Sequence, residues 1–296
     1  MSTAVQYVDA AMVGRLGAQA TAAVGATTTV SWLIGSTVSA LGIGFLSFIA
    51  QAYGADDRAR AARTSSQAVL VVLFSGTLFT VIPPLLSRRV PVWMHAAPEI
   101  QQVASQYFAI LYMPMLARAA STIFGTALRA TGDSKTPMRA GLAMNLVNVV
   151  LNFLLIFPGR EISLLGARFF MPGAGLGVVG AAIATAMGMV VGLILCLVSL
   201  FRGKAHDSFL QISLKDDWRI KKRSVMDTLK VSSSAMLEQI AMRIGFFSYA
   251  KIVAELGTDA FAAHQIAMKF LNLSFCFADG LGVAGTSLVG QMLGRG

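Results

Sequence analysis

Charge is what this chain has least of. Asp, Glu, Lys and Arg make up only 13% of its 296 residues, against roughly 25% in a soluble domain. With 55% hydrophobic residues and a mean hydropathy of +0.68, it has too little polar surface to face water on every side. Cysteine is also scarce. The only two, Cys196 and Cys276, both lie in apolar runs, which excludes a disulfide framework. The three histidines, His95, His206 and His264, are dispersed, and no Cys or carboxylate stands beside them at zinc-site spacing. No Walker A sequence occurs, and Gly42-Ile43-Gly44 precedes no nucleotide-binding strand. These absences exclude a catalytic constellation, a bound cofactor and an ATP-driven machine. The expected protein is not an enzyme.

What remains is long apolar sequence. Runs of bilayer-spanning length, roughly 17–25 residues, recur near 31–53, 66–86, 104–128, 140–158, 175–201, 231–254 and 260–293. A shorter apolar stretch at 4–13 precedes them. The runs do not alternate over about ten residues as barrel strands would, so helices are predicted. Pro114 falls inside one span and should kink it. Pro83-Pro84 and Pro158-Gly159 are expected in outer turns.

The net charge of +10 invites a nucleic-acid reading, but its distribution argues for topology. Arg58, Arg60 and Arg63 share one loop, and Arg129, Lys135 and Arg139 the next loop on the same side. The stretch 202–223 adds Arg202, Lys204, Lys215, Arg219, Lys221, Lys222 and Arg223. The intervening loops hold only Arg88, Arg89, Arg160 and Arg168. The positive-inside rule places the basic side in the cytoplasm. The expected location is the plasma membrane, the inner membrane of a bacterium. The expected partners are membrane lipids and small-molecule substrates, not nucleic acid, and the protein is expected to be monomeric.

The chain also repeats itself. Shifting residues 10–54 by 240 positions lays them on 250–294 without a gap, with 13 identities in 45 positions. Leu16-Gly17 meets Leu256-Gly257, and Ser47, Gln51 and Gly54 meet Ser287, Gln291 and Gly294. Two related halves made of membrane helices are a usual plan for secondary transporters. The predicted organisation is an N-terminal lobe over 1–201, a cytoplasmic linker over 202–223 and the start of a C-terminal lobe over 224–296. On this reading the chain is a fragment, with part of its first helix before Met1 and most of its second lobe beyond Gly296.

Several segments resemble one family. Val8-Asp9-Ala10-Ala11-Met12-Val13-Gly14-Arg15-Leu16-Gly17 resembles the first-helix signature of the multidrug and toxin extrusion (MATE) family. Leu128-Arg129-Ala130-Thr131-Gly132-Asp133-Ser134-Lys135-Thr136-Pro137-Met138 is similar to its loop between helices four and five. Asn145-Leu-Val-Asn148-Val-Val-Leu-Asn152 resembles its fifth helix, and Gly175-Leu-Gly-Val-Val-Gly-Ala-Ala-Ile the start of its sixth. The resemblance covers essentially the whole chain, as helices one to eight of twelve. It implies an all-α, polytopic, two-lobed MATE-type bundle with an internal repeat. It also implies a Na⁺- or H⁺-coupled antiporter that exports amphiphilic, often cationic, drugs. The alternative is a lipid-linked oligosaccharide flippase of the same superfamily, whose cavity should be more basic, or a fragment that does not transport.

Asp9 is the sharpest candidate for cation coupling. A carboxylate inside an apolar segment costs about 2.5–3.5 kcal/mol on insertion scales, so it is there for a reason or else sits solvated near the interface. It would hold H⁺ or Na⁺. Its repeat partner is Tyr249, so the acid is not duplicated. Asn145, Asn148 and Asn152 fall at i, i+3 and i+7, on one stripe of a helix. They read either as cation-site amides or as interhelical glue. The resemblance implies that this helix faces the acid inside the first lobe, with Asn148 and Asn152 nearest. Some members carry a second acid on the fifth helix; 145–158 holds none. For substrate contact the candidates are Glu238, Arg118, Met113 and Met144. Glu238 could instead pair with Arg243, and Arg118 could neutralise Asp9. Mid-span methionines suit a promiscuous apolar cavity, or simply pack.

Overall fold

A computed structural model describes residues 2–94, 96–164, 167–201, 222–255 and 258–296. In chain order its elements are α1 (Ser2–Gly14), α2 (Ala18–Gly54), α3 (Arg58–Leu86), α4 (Val90–Trp93), α5 (Pro98–Tyr112), α6 (Met115–Ala130) and α7 (Lys135–Leu155). A β-hairpin comes next, β1 (Pro158–Leu164) and β2 (Ala167–Ala174), and then α8 (Gly177–Phe201), α9 (Lys222–Glu255) and α10 (Thr258–Arg295). The repeat is visible in the frame: α2 and α10 begin 240 residues apart and run 37 and 38 residues.

Every predicted apolar run falls largely on a helix. Among the described residues, five helices are long and apolar enough to cross a membrane, and the bent pair α5–α6 makes a sixth. The run at 231–254 is helical within α9 but too polar to stand with those six. Two further readings need correcting. Pro83 and Pro84 lie inside α3, in its last turns, and not in the turn beyond it. Pro158 opens a strand: β1 and β2 pair antiparallel, with Ile162 opposite Phe169 and a bulge between Pro158 and Arg160. The linker read at 202–223 lies outside the described residues except for Lys222 and Arg223.

Local chemistry sets the helix ends. Asp57 accepts from the Arg60 N–H at 2.8 Å and caps α3. Gly132 takes φ +87°, the left-handed conformation that stops α6. Asp133 then accepts from the Thr136 N–H at 3.0 Å, starting α7 after a short break in the helix. The predicted kink at Pro114 is a 46° bend between α5 and α6. The bend leaves the Leu116 N–H without a partner one turn back in its own helix. Thr80 of α3 supplies one, its hydroxyl accepting at 2.9 Å.

Packing falls into three connected clusters. Phe45, Leu46 and Ile49 of α2 meet Val72 of α3 and Ile123 and Phe124 of α6. Ile34 and Val38 of α2 meet Phe108 and Tyr112 of α5, Met115 of α6 and Met189 of α8. Met12 and Val13 anchor α1 on Ile156, at the end of α7, and on Val178 and Ala181 of α8. In contrast, Leu142, Leu146, Val150 and Phe153 make an exposed apolar stripe along α7. Such a stripe belongs against lipid.

Thr80→Val should leave the Leu116 N–H orphaned at the bend and destabilise the protein by about 1–3 kcal/mol. Thr80→Ser should not. Thermal unfolding in detergent, comparing the two variants with wild type, checks this.

Candidate functional site

Three helices bring the candidate coupling residues together. The third cluster holds α1 against α7 and α8, which points Asp9 at the Asn-bearing face of α7. The approach of α7 to α8 depends on glycine. A Cβ on Gly188 would lie 3.0 Å from the Met144 carbonyl and 3.4 Å from the Asn148 Cβ, and one on Gly180 would press on the backbone of Leu155. Small residues at such crossings let helices meet closely. The Asn148 side chain consequently reaches Thr185 of α8.

Asn152 is fully buried, and its amide nitrogen donates to Asp9 Oδ1. It also donates to Asn148 Oδ1 at 3.1 Å. In that orientation the Asn148 nitrogen donates to the Thr185 hydroxyl at 3.0 Å. The Asn148 amide has a second orientation with more partners. Turned over, its nitrogen donates to Asp9 Oδ1 at 2.9 Å, and its oxygen accepts from the Thr185 N–H at 3.2 Å and hydroxyl at 3.0 Å. In the turned form Asp9 Oδ1 accepts from two amides, and the Asn152–Asn148 bond is given up. Asn152 Oδ1 is buried without a hydrogen-bond partner. A buried lone acceptor is costly, and here it stands beside the acid.

Asn145 is buried one turn further along α7, and it lines the same cavity as Asp9 and Asn148. That cavity, about 690 Å³, runs inside the first lobe from Asp9, Asn148 and Thr185 past Met144, Ser121 and Arg118. It continues to Arg129, Ser134 and Met138, at the α6–α7 turn. This turn is on the side that the basic bias assigns to the cytoplasm. Tyr107 of α5 packs against the apolar cluster that holds Met12 and Val13.

The other candidates separate. Arg118 and Met144 line the cavity; Met113 does not. Met113 sits at the α5–α6 break, 66% exposed, because the bend turns it off the inner face. Glu238 is exposed on α9. Arg243 does not turn to it. Its guanidinium stacks over the Trp32 ring of α2, 3.6 Å from the ring centre, with Asp279 of α10 as a charge partner. Thr185 is a site residue that the sequence reading missed. It is not unusual in an apolar helix, so it carries no signal of its own.

The donor set is oxygen-rich and singly acidic. Among the described residues no three His, Cys, Asp or Glu side chains come together to hold a metal ion. One carboxylate, two amide oxygens and a hydroxyl remain, ligands that suit a proton or a hard monovalent cation and not a transition metal. Together with the repeat, this cluster marks a multi-pass membrane protein of the two-lobed, repeat-built helical class.

The chain belongs to the MatE family, whose model matches residues 1–154 and 234–296. It is 28% identical to the probable multidrug resistance protein NorM of Thermotoga maritima over 97% of this chain and 59% of that protein. Among solved structures it resembles a MATE protein in its straight conformation, with TM-score 0.88 and 26% identity over 99% of this chain and 62% of that one. It also resembles the outward-facing conformation of a multidrug resistance MATE family transporter, with TM-score 0.87 and 27% identity over 99% of this chain and 61% of that one. The chain thus spans about 60% of the length of the curated relatives it matches.

Asn152→Leu should uncover Asp9 and raise its labelling by a hydrophobic carbodiimide several-fold. Asn145→Leu, with no bond to the acid, should leave it unchanged. Mass spectrometry of the labelled peptide reads both.

Proposed function

We propose that the complete protein is a cation-coupled multidrug exporter of the plasma membrane, working as a monomer among membrane lipids, and that this chain carries its coupling site. The observation behind this reading is the Asp9–Asn152–Asn148–Thr185 cluster, sunk in apolar helices. Intramembrane acids are functional by default, and this one is met by amide donors. The names of the relatives as multidrug resistance proteins support the substrate class.

In this reading Asp9 exists in two forms. Charged, it accepts from the amides of Asn152 and Asn148. Neutralised by H⁺, or shielded by Na⁺, it gives those bonds up or shares them. The protonated carboxyl can donate to Asn152 Oδ1, and a bound Na⁺ can be ligated by it. Either change satisfies the orphaned acceptor and alters how α1 is held on α7. A ligand shifts a conformational equilibrium only by its differential affinity for the two states. Moving a population from 1:99 to 99:1 needs about 5.5 kcal/mol, and a half-buried carboxylate bound differently in the two states contributes to it. The cation leaves toward the cytoplasm along the cavity lined by Ser121 and Met144. The drug, an amphiphile with positive charge, leaves outward between the lobes.

Asp9→Asn in the complete protein should abolish gradient-driven dye efflux while leaving the protein in the membrane. Efflux from proteoliposomes with Na⁺ and H⁺ gradients imposed separately identifies the ion. Full efflux by Asp9→Asn under both gradients would sink the proposal.

A further inference from the structure

The cavity of the first lobe is larger than a coupling ion needs. A water takes about 30 Å³ of liquid volume, whereas the cavity holds about 690 Å³, the size of a pocket for an organic ligand. Its charge is also one-sided. Asp9 is the only acid in its lining, against two arginines, Arg118 and Arg129. Asp9 is already met by the amides of α7. Arg129 is half-buried at the end of α6, and among the described residues its guanidinium makes no hydrogen bond or ion pair. A cation withdrawn from water without a partner is costly. Ser134 lines the cavity beside it, and Lys135 and Arg139 are exposed on the first turns of α7. The one acid of this turn, Asp133, caps α7 by accepting from the Thr136 N–H.

The same end of the cavity opens sideways. Met138 and Leu142, one helical turn apart on α7, line the cavity and are nevertheless 56% and 52% exposed. Leu142 begins the apolar stripe that continues through Leu146, Val150 and Phe153 along the lipid side of α7. The wall at Met138 and Leu142 is therefore shared between the cavity and the bilayer. Between them, Gly141 also lines the cavity, and a Cβ placed on it would meet nothing within 4 Å. A cationic mouth thus stands over an apolar slot that faces lipid, on the side that the basic bias assigns to the cytoplasm. A soluble anion has no use for the slot, and a zwitterionic head group gains no net attraction from Arg129, Lys135 and Arg139.

We propose that the cytoplasmic end of this cavity binds an acidic phospholipid of the inner leaflet. Arg129 and Ser134 donate to the phosphate, with Lys135 and Arg139 at the rim. One acyl chain enters past Met138 and Leu142 and lies over Gly141. Basic pockets between membrane helices on the cytoplasmic side suit lipid phosphates, and the guanidinium fork pairs with a phosphate through two bonds. Bound there, the lipid ties α6 to α7, the helix that carries Asn148 and Asn152. The site goes beyond the exporter reading and requires only that the basic side be cytoplasmic.

The test uses the complete protein in detergent, titrated with phosphatidylglycerol or phosphatidylcholine, with native mass spectrometry reading the first bound lipid. Phosphatidylglycerol should bind about tenfold more tightly, as expected for a few basic groups around one phosphate. Arg129→Gln should remove most of that preference, and Arg129→Lys should keep most of it. Gly141→Leu, which fills the slot without a clash, should weaken phosphatidylglycerol as much as Arg129→Gln does and leave thermal stability unchanged. Arg60→Gln, on the same side but outside the cavity, should change nothing. A preference that survives both Arg129→Gln and Gly141→Leu, or that falls equally in Arg60→Gln, would overturn the site. So would a loss in Arg129→Gln alone, which would leave the head group at the surface with no chain in the slot. Glycerol 3-phosphate competing at the lipid's own concentration would make the ligand a soluble phosphate and refute the lipid. Transport is not read in any arm, so failure of the exporter reading leaves each of these results standing.

Discussion

A carboxylate inside an apolar bundle has to be met by hydrogen-bond donors, and much of the first lobe is arranged around that requirement. Asp9 sits on α1 and is aimed at its donors by the packing of that helix. Met12 and Val13 seat α1 in an apolar socket made by α7 and α8. The donors come from α7, and their orientation depends in turn on Thr185 of α8. Thr185 reaches them only because Gly180 and Gly188 let α8 approach the α7 backbone. An alanine at Gly188 would have to displace the Met144 carbonyl. It would disturb the acid's environment without touching the acid.

How much of this is legible in the sequence depends on contrast. Asp9, Asn148 and Asn152 stand out because amides and acids are rare among Leu, Val and Ala, and the i, i+3, i+7 spacing puts the amides on one face. Thr185 cannot be picked out in the same way. Threonines throughout this chain bond back to their own helix, as Thr28 does to Val24 and Thr122 to Arg118, and Thr185 itself does so to Ala181. Its second role needs the α7–α8 contact, which is tertiary. Met113 shows the opposite failure. Its place in an apolar run suggests the cavity, but the Pro114 bend turns it outward. The proline is legible, and the direction of the bend is not. The hairpin of β1 and β2 shows in the sequence only as a helix break, since a Pro-Gly step ends a helix without specifying the next element.

The repeat carries a further lesson about symmetry. Identity under the shift marks positions where the two lobes do the same thing. The shared Ser, Gln and Gly near the ends of α2 and α10 lie where those helices cross. Difference under the shift marks positions where the lobes have diverged, and Asp9 against Tyr249 is the clearest case. Tyr249 sits edge-to-face against His264, 5.0 Å between ring centres. The mate of Trp32 is Asn272, so the stacking of Arg243 on Trp32 is likewise one-sided.

Mechanics and chemistry are thus divided differently along this chain. Closing two lobes on each other is a problem with two-fold symmetry, and both copies can solve it with the same residues. On the proposed function, binding one cation per cycle is not such a problem. A second carboxylate in an apolar segment would add another insertion cost of about 2.5–3.5 kcal/mol. On the proposed function, an acid at Asp9 whose mate is Tyr249 makes the binding step one-sided, while the α2–α10 crossing is shared by both copies. On that proposal, α1 and α2 are the elements that connect the acid to the crossing. These helices are joined by the short turn at Leu16-Gly17, where Gly17 takes φ +109°, a conformation that L side chains rarely adopt. The same Leu-Gly pair recurs at 256–257, between α9 and α10. A change in how Asp9 holds α1 on α7 would reach the crossing at Gly54 through that turn and the length of one continuous helix.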